Sequence, residues 1–131
     1  MPVLVDTNVI LDVLHDDPEW GKWSRDRLAE FSGQLTINPL VYAEICYGAD
    51  SQQEVEEIVE GFGLHFDDLP REALYLCARA YRVYRQRGGV KTAPLPDFFI
   101  GAHAEALSIH ILTRDTNRYQ TYFPKVSLIC P

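Results

Sequence analysis

Cysteine is scarce in this chain and spaced for neither of its usual structural uses. The three present, Cys46, Cys77 and Cys130, are odd in number, far apart and in no CxxC arrangement. That excludes a disulfide framework and a cysteine-based zinc site, and leaves them as small apolar residues in a reducing compartment. Long hydrophobic runs are also missing. Nothing approaches the ~20 apolar residues that span a bilayer, and no basic segment followed by an apolar one opens the chain. The expectation is a cytoplasmic protein without membrane contact. Nor is there a GxGxxG fingerprint, a P-loop, a GxSxG elbow or an HExxH pair, so dinucleotide, Walker-type nucleotide, serine-hydrolase and zinc-protease chemistries have no residues to run on. The four histidines, His15, His65, His103 and His110, scatter without ligand spacing and read as packing or surface residues.

What is present suits one soluble globular domain spanning 1–131: 15.0 kDa, 47% hydrophobic and 24% charged residues. The net charge of −7 is uneven. Residues 1–70 hold 15 acids against 3 bases, and residues 71–131 hold 4 acids against 9 bases. An acidic chain ordinarily argues against a nucleic-acid partner, but the basic second half keeps one open.

Short β-branched runs alternate with helical patterns. PVLV (2–5), LTI (35–37), LHF (64–66), IHILT (109–113) and VSLIC (126–130) read as strands. Helices are expected from Asn8, over 19–33, over Pro39–Gly48 with proline in the first turn, and over Ser51–Gly61 with a capping box from Ser51 to Glu54. Further helices are expected over Arg71–Arg87, over Asp97–Leu107, and as a short turn of helix within RDTNRYQTYF. The alternation predicts a three-layer α/β/α fold around a mainly parallel sheet of four or five short strands.

Four carboxylates sit oddly in this pattern. Asp6 ends the first strand and starts a helix, where a helix cap explains it, yet this turn is also where parallel sheets bind ligands. Glu44 lies one turn beyond Leu40 and Val41, on the side those residues bury, and a buried carboxylate needs a metal ion or an arginine to meet it. Asp97 heads a helix whose next turns are Ile100, Gly101 and Ala104, and could cap it. Asp115 repeats the geometry of Asp6 after IHILT, with a turn role as the alternative. Four acids in one place require compensating cations. An all-oxygen donor set suits Mg²⁺ or Mn²⁺, the metals of phosphoryl-transfer chemistry, and so points to a metal-dependent phosphoesterase without naming its substrate.

VLVDTNVILDVL, the inward Glu of PLVYAEICYG, LPDFFIGAHA and LTRD, in that order over residues 3–123, resemble the PIN-domain ribonucleases, and among these the VapC toxins of prokaryotic type II toxin-antitoxin systems. The resemblance implies that Asp6, Glu44, Asp97 and Asp115 are catalytic and bind Mg²⁺ or Mn²⁺ at the carboxyl edge of the sheet. Asn8 and Thr113 are implied to support them. It implies an endoribonuclease that hydrolyses tRNA, rRNA or mRNA with metal-activated water, a cognate antitoxin protein as inhibitor, and a homodimer. Several relatives carry a further acid where this chain has Asn117 and Arg118, so a resting site with one ion is expected.

Basic residues in the second half then acquire a use. Arg79, Arg82 and Arg85 recur at helical spacing, and with Lys91 and Arg114 they are candidates for RNA contact, against the alternative of a solvated helix face. A phosphatase of the haloacid dehalogenase type also begins from an Asp after its first strand, but needs a second Asp two residues on, where this chain has Asn8. A PIN nuclease of RNA turnover that is not a toxin, and a PIN-like binding module without catalysis, remain as alternatives.

Overall fold

The computed structural model describes residues 1–131. In chain order the elements are β1 (Val3–Val5), α1 (Thr7–Leu14), α2 (Gly21–Glu30), β2 (Leu35–Ile37), α3 (Pro39–Tyr47), α4 (Gln52–Gly61), β3 (His65–Phe66), α5 (Arg71–Gln86), α6 (Pro96–Leu107), β4 (His110–Leu112), α7 (Asn117–Tyr122) and β5 (Leu128–Ile129). All five strands are parallel, in the order β3-β2-β1-β4-β5. The predicted architecture is the observed one, a parallel sheet inside layers of helix. No helix is long and apolar enough to cross a membrane.

β1 is central and buried at every residue, as are β2 and most of β4. The chain runs outward from β1 to β2 and β3, then returns across the sheet to place β4 on the other side of β1. The crevice between the carboxyl ends of β1 and β4 is therefore the point at which the winding reverses, the position where open parallel sheets bind ligands. Asp6 follows β1 there, and Thr113 follows β4.

Local chemistry explains most of the element ends. Ser51 accepts from the Glu54 amide at 3.1 Å as the capping pattern requires, while the Glu54 carboxylate reaches the Asp50 amide at 2.8 Å, one residue earlier than a reciprocal box would. The helix expected over 19–33 begins late, at Gly21, because the Asp17 carboxylate takes the amides of Glu19 and Trp20 and holds them in a turn. The last strand is shorter than VSLIC, only Leu128 and Ile129 being paired. Asp97 is not the cap of α6; Leu95 stands at that position and Asp97 falls in the first turn.

Gly101 lets α6 approach the end of α7, since a methyl group there would fall inside the ring of Phe123. His103 is fully buried on α6, as a packing residue should be. Its Nδ1 accepts from the Asn38 carboxamide at 3.2 Å, while the same side chain's oxygen caps α3 through the amides of Leu40 and Val41. Burial holds the imidazole pKa below its ordinary value, against the charges of Asp67 and Asp68.

Candidate active site

At the reversal point Asp6, Glu44, Asp97 and Asp115 line a single cavity of about 480 Å³, together with Thr7, Asn8, Leu11, Tyr47 and Tyr119. Asp6 follows β1, Glu44 lies within α3, Asp97 is in the first turn of α6 and Asp115 follows β4, so the fold and not the local sequence brings them together. Asp6 caps α1 by accepting from the Thr7 amide at 2.8 Å on Oδ1. Its Oδ2 accepts from the Tyr119 phenol at 2.8 Å, from the Thr113 hydroxyl at 2.9 Å and, at 3.4 Å, from the Asn8 carboxamide. The cap and the cavity wall are the same side chain.

Thr7 couples two of the acids. Its amide holds Asp6, and its hydroxyl donates to Glu44 Oε1 at 2.7 Å. The partner that Glu44 meets in the protein is thus a buried hydroxyl, and no arginine reaches it. Thr113 ties Asp6 to the following loop, since its Oγ1 also accepts from the Asp115 amide at 3.0 Å. Asn8 fastens the same loop from the other side, its Oδ1 accepting from the Arg114 amide at 3.3 Å.

The electrostatics are those of a site short of positive charge. Burial pushes the Asp6 carboxyl up to about 6, the hydrogen bonds from Tyr119 and Thr113 oppose the rise, and the Asp97 charge adds to it. Asp97 is also raised by burial, with Arg118 opposing and Asp115 adding. Tyr119 is raised well above the usual phenol range by burial and by the Asp6 charge, which keeps it a donor. No three acid, histidine or cysteine side chains stand close enough to form a ready-made metal cage. The donor set nevertheless fits a hard divalent cation: carboxylate oxygens in an open cavity whose two most perturbed members both gain from added positive charge.

The basic candidates lie elsewhere. Arg79, Arg82, Arg85, Lys91 and Arg114 do not line the cavity. Arg79 and Arg82 are exposed on α5. Arg85 donates to the Lys91 carbonyl at 2.9 Å, which also accepts from Tyr81 at 2.8 Å, so its guanidinium fastens the loop before α6. Arg114 is spent on Asp12, its Nε 2.8 Å from Oδ2, and Ser24 donates to the same buried carboxylate.

Five contributors carried no usable sequence signal. Thr7, Tyr119, Asp12, Tyr47 and Arg118 become significant only through contacts across the fold, although Thr7 lies inside the DTN triplet. Arg118 is the one cation beside the acids, with Nε 3.4 Å from Asp97 Oδ2 and its guanidinium near the rings of Phe98 (5.2 Å) and Tyr84 (5.4 Å).

Residues 3–124 match the family model described as PIN domain. No curated protein matches the chain significantly in sequence. Among solved structures, the chain is similar to VapBC2 from Rickettsia felis bound to a promoter DNA fragment, with a TM-score of 0.75, 18% identity, and 99% and 98% of the two chains covered. It is equally similar to DNA-bound VapBC from Salmonella typhimurium, at 0.75 and 18% over 99% and 98%. FitAcB from Neisseria gonorrhoeae gives 0.70 and 20% over 97% and 96%. At these identities the likeness is one of fold.

Proposed function

The chain belongs to the PIN-domain family, and from that premise we propose that it is a metal-dependent endoribonuclease, the toxin of a VapBC-like type II toxin-antitoxin pair. The observation that carries the reading is the convergence of Asp6, Glu44, Asp97 and Asp115 on one cavity at the winding reversal of the sheet. PIN-domain nucleases generally use divalent metal ions, and Mg²⁺ or Mn²⁺ is the expected cofactor here. When bound, such an ion would supply an activated water and offset charge on the phosphodiester.

The chain's own residues do the holding and orienting. Asp6 and Asp97 would be the principal ligands, with Glu44 and Asp115 completing the acid set. Thr7 fixes the separation of Asp6 and Glu44, because one residue anchors both. Tyr119, Thr113 and Asn8 direct Oδ2 of Asp6 and leave Oδ1, which spends only one contact on the Thr7 amide, the freer oxygen. This is second-layer hydrogen bonding of the kind that orients metal ligands.

The partners proposed are an RNA, a cognate antitoxin and a second copy of the chain, in the cytoplasm, with residues 1–131 acting as one PIN domain. Support for the antitoxin comes from the similar structures, one of which, from Klebsiella pneumoniae, is by description a toxin-antitoxin complex, with a TM-score of 0.70 and 19% identity. The test is incubation of the purified protein with total cellular RNA, with Mn²⁺ or with chelator, followed by mapping of the cut ends. Metal-dependent cuts at one or a few sites, lost in Asp6→Asn, are expected; cuts that survive both chelator and Asp6→Asn would overturn the reading.

A further inference from the structure

A second cleft of about 210 Å³ adjoins the candidate active site, lined by Tyr84, Asn117, Arg118, Thr121 and Tyr122. The two cavities share a wall: Asp97 lines the first, and its ion-pair partner Arg118 lines the second. A strand of nucleic acid lying over Asp97 therefore meets Arg118 within a nucleotide step.

Arg118 is held but not used up. The rings of Tyr84 and Phe98 fix its plane, its single ion pair is long at 3.4 Å, and Nη1 is buried with no hydrogen-bond partner. The side chain is still 29% exposed and lines the cleft. An arginine pre-oriented this way loses little freedom when it binds an anion, and its planar fork matches phosphate oxygens. Arg87 stands at the rim, its guanidinium 5.5 Å from the Tyr122 ring, in no ion pair. The Asn117 carboxamide has no protein partner either, since only its backbone is hydrogen-bonded. In a chain of net charge −7, the loosely paired Arg118 and the unpaired Arg87 bring two positive charges to one small cleft.

We propose that this cleft seats the backbone phosphate of the RNA nucleotide adjoining the cut, with Arg118 and Arg87 as its cationic contacts and Asn117 as a neutral donor. The proposal rests on the endoribonuclease reading and adds a subsite to it.

The test is binding of a short fluorescein-labelled single-stranded RNA, followed by anisotropy in Mg²⁺ across a salt series, in an Asp6→Asn background so that the RNA stays whole. Arg87→Gln is expected to weaken binding about five- to tenfold at low salt and to flatten the slope of log K against log salt by about 0.7, the value of one single-strand phosphate contact. Arg118→Gln should do the same or more, and Lys22→Gln, which removes one charge far from the cleft, should leave the slope unchanged. Should Arg118→Gln misfold, Arg87→Gln still decides. Wild-type slopes in both arginine variants, or an equal loss in Lys22→Gln, would overturn the subsite even if the enzyme cuts RNA. Absence of cutting alongside altered slopes would instead count against the nuclease reading alone.

Discussion

Tyr119 donates its phenolic hydrogen to Asp6 Oδ2 at 2.8 Å, joining the last helix of the fold to the end of its first strand. The phenol is buried, so the bond is made away from water, to a charged acceptor, where hydrogen bonds count for about 1.5–3 kcal/mol. Tyr119→Phe leaves the packing and removes that bond. The Asp6 carboxyl then rises further above its ordinary range, because the largest of the three hydrogen bonds that oppose burial, from Tyr119, Thr113 and the Thr7 amide, is gone. Mn²⁺ affinity, measured by calorimetry, is expected to fall about 10- to 100-fold, as for other residues that orient a metal ligand. Unchanged affinity would remove Tyr119 from the site.

Asp6 itself costs the metal-free protein stability. Its folded pKa of about 6 lies above the ordinary 3.8, so between those values the folded state holds a proton that the unfolded chain has released. Stability must then decline as pH rises from about 4 to 6 and stay reduced above that. Asp6→Asn avoids the buried charge, and Tyr119 and Thr113, being hydroxyls, can turn to accept from the new amide. In chelator at pH 7.5 the variant should be more stable than wild type by about 1–3 kcal/mol in urea denaturation, with the gap closing towards pH 4. A variant less stable at both pH values would contradict this.

His103 works with the opposite sign. Its folded pKa is lowered below 6.5 by burial, so acidification protonates the unfolded chain first and stability falls as pH drops through and below that value. The Asn38 carboxamide already donates to Nδ1, which leaves a protonated ring facing a donor. The urea midpoint should drop between pH 7.5 and 5.5, and His103→Gln should flatten that part of the profile. An unchanged slope in the variant would assign the acid sensitivity to other groups.

Arg114 was a candidate for RNA contact by sequence and is engaged on Asp12 in the fold. Arg114→Met leaves the buried Asp12 carboxylate with Ser24 alone. Removing one partner of a buried ion pair costs about 3–5 kcal/mol, and partial exposure of Arg114 brings the expectation to about 2–3 kcal/mol. Thermal melts check this, while RNA affinity per folded molecule should be little altered.

The fold was legible in the sequence because its signals are local. PVLV and LTI are runs too apolar for any surface, Ser51 and Pro39 mark helix starts, and the alternation of strands and helices leaves few parallel topologies. Asp6, Glu44, Asp97 and Asp115 were legible for a different reason: carboxylates beside buried positions conflict with hydrophobic patterning, and the conflict shows in one dimension. Thr7, Tyr119 and Arg118 create no such conflict. A threonine in a helix turn, a tyrosine and an arginine on a short helix are ordinary until partners more than 20 positions away are known. The spacing on α5 likewise gave no hint that Arg85 would be turned towards Lys91.

The strand order has a consequence for biosynthesis. β1 lies between β2 and β4, and the acid that follows β1 is oriented by Thr113 and Tyr119. A ribosome that has translated only as far as β3 has made Asp6, Thr7, Asn8 and Glu44 but not Asp97, Thr113, Asp115 or Tyr119, which complete the cavity. The assembly of the cavity therefore waits for almost the whole of this chain. A truncated or stalled product ending before Tyr119 would lack the complete centre, so translation itself delays completion of the four-acid cavity until the last helix has been made.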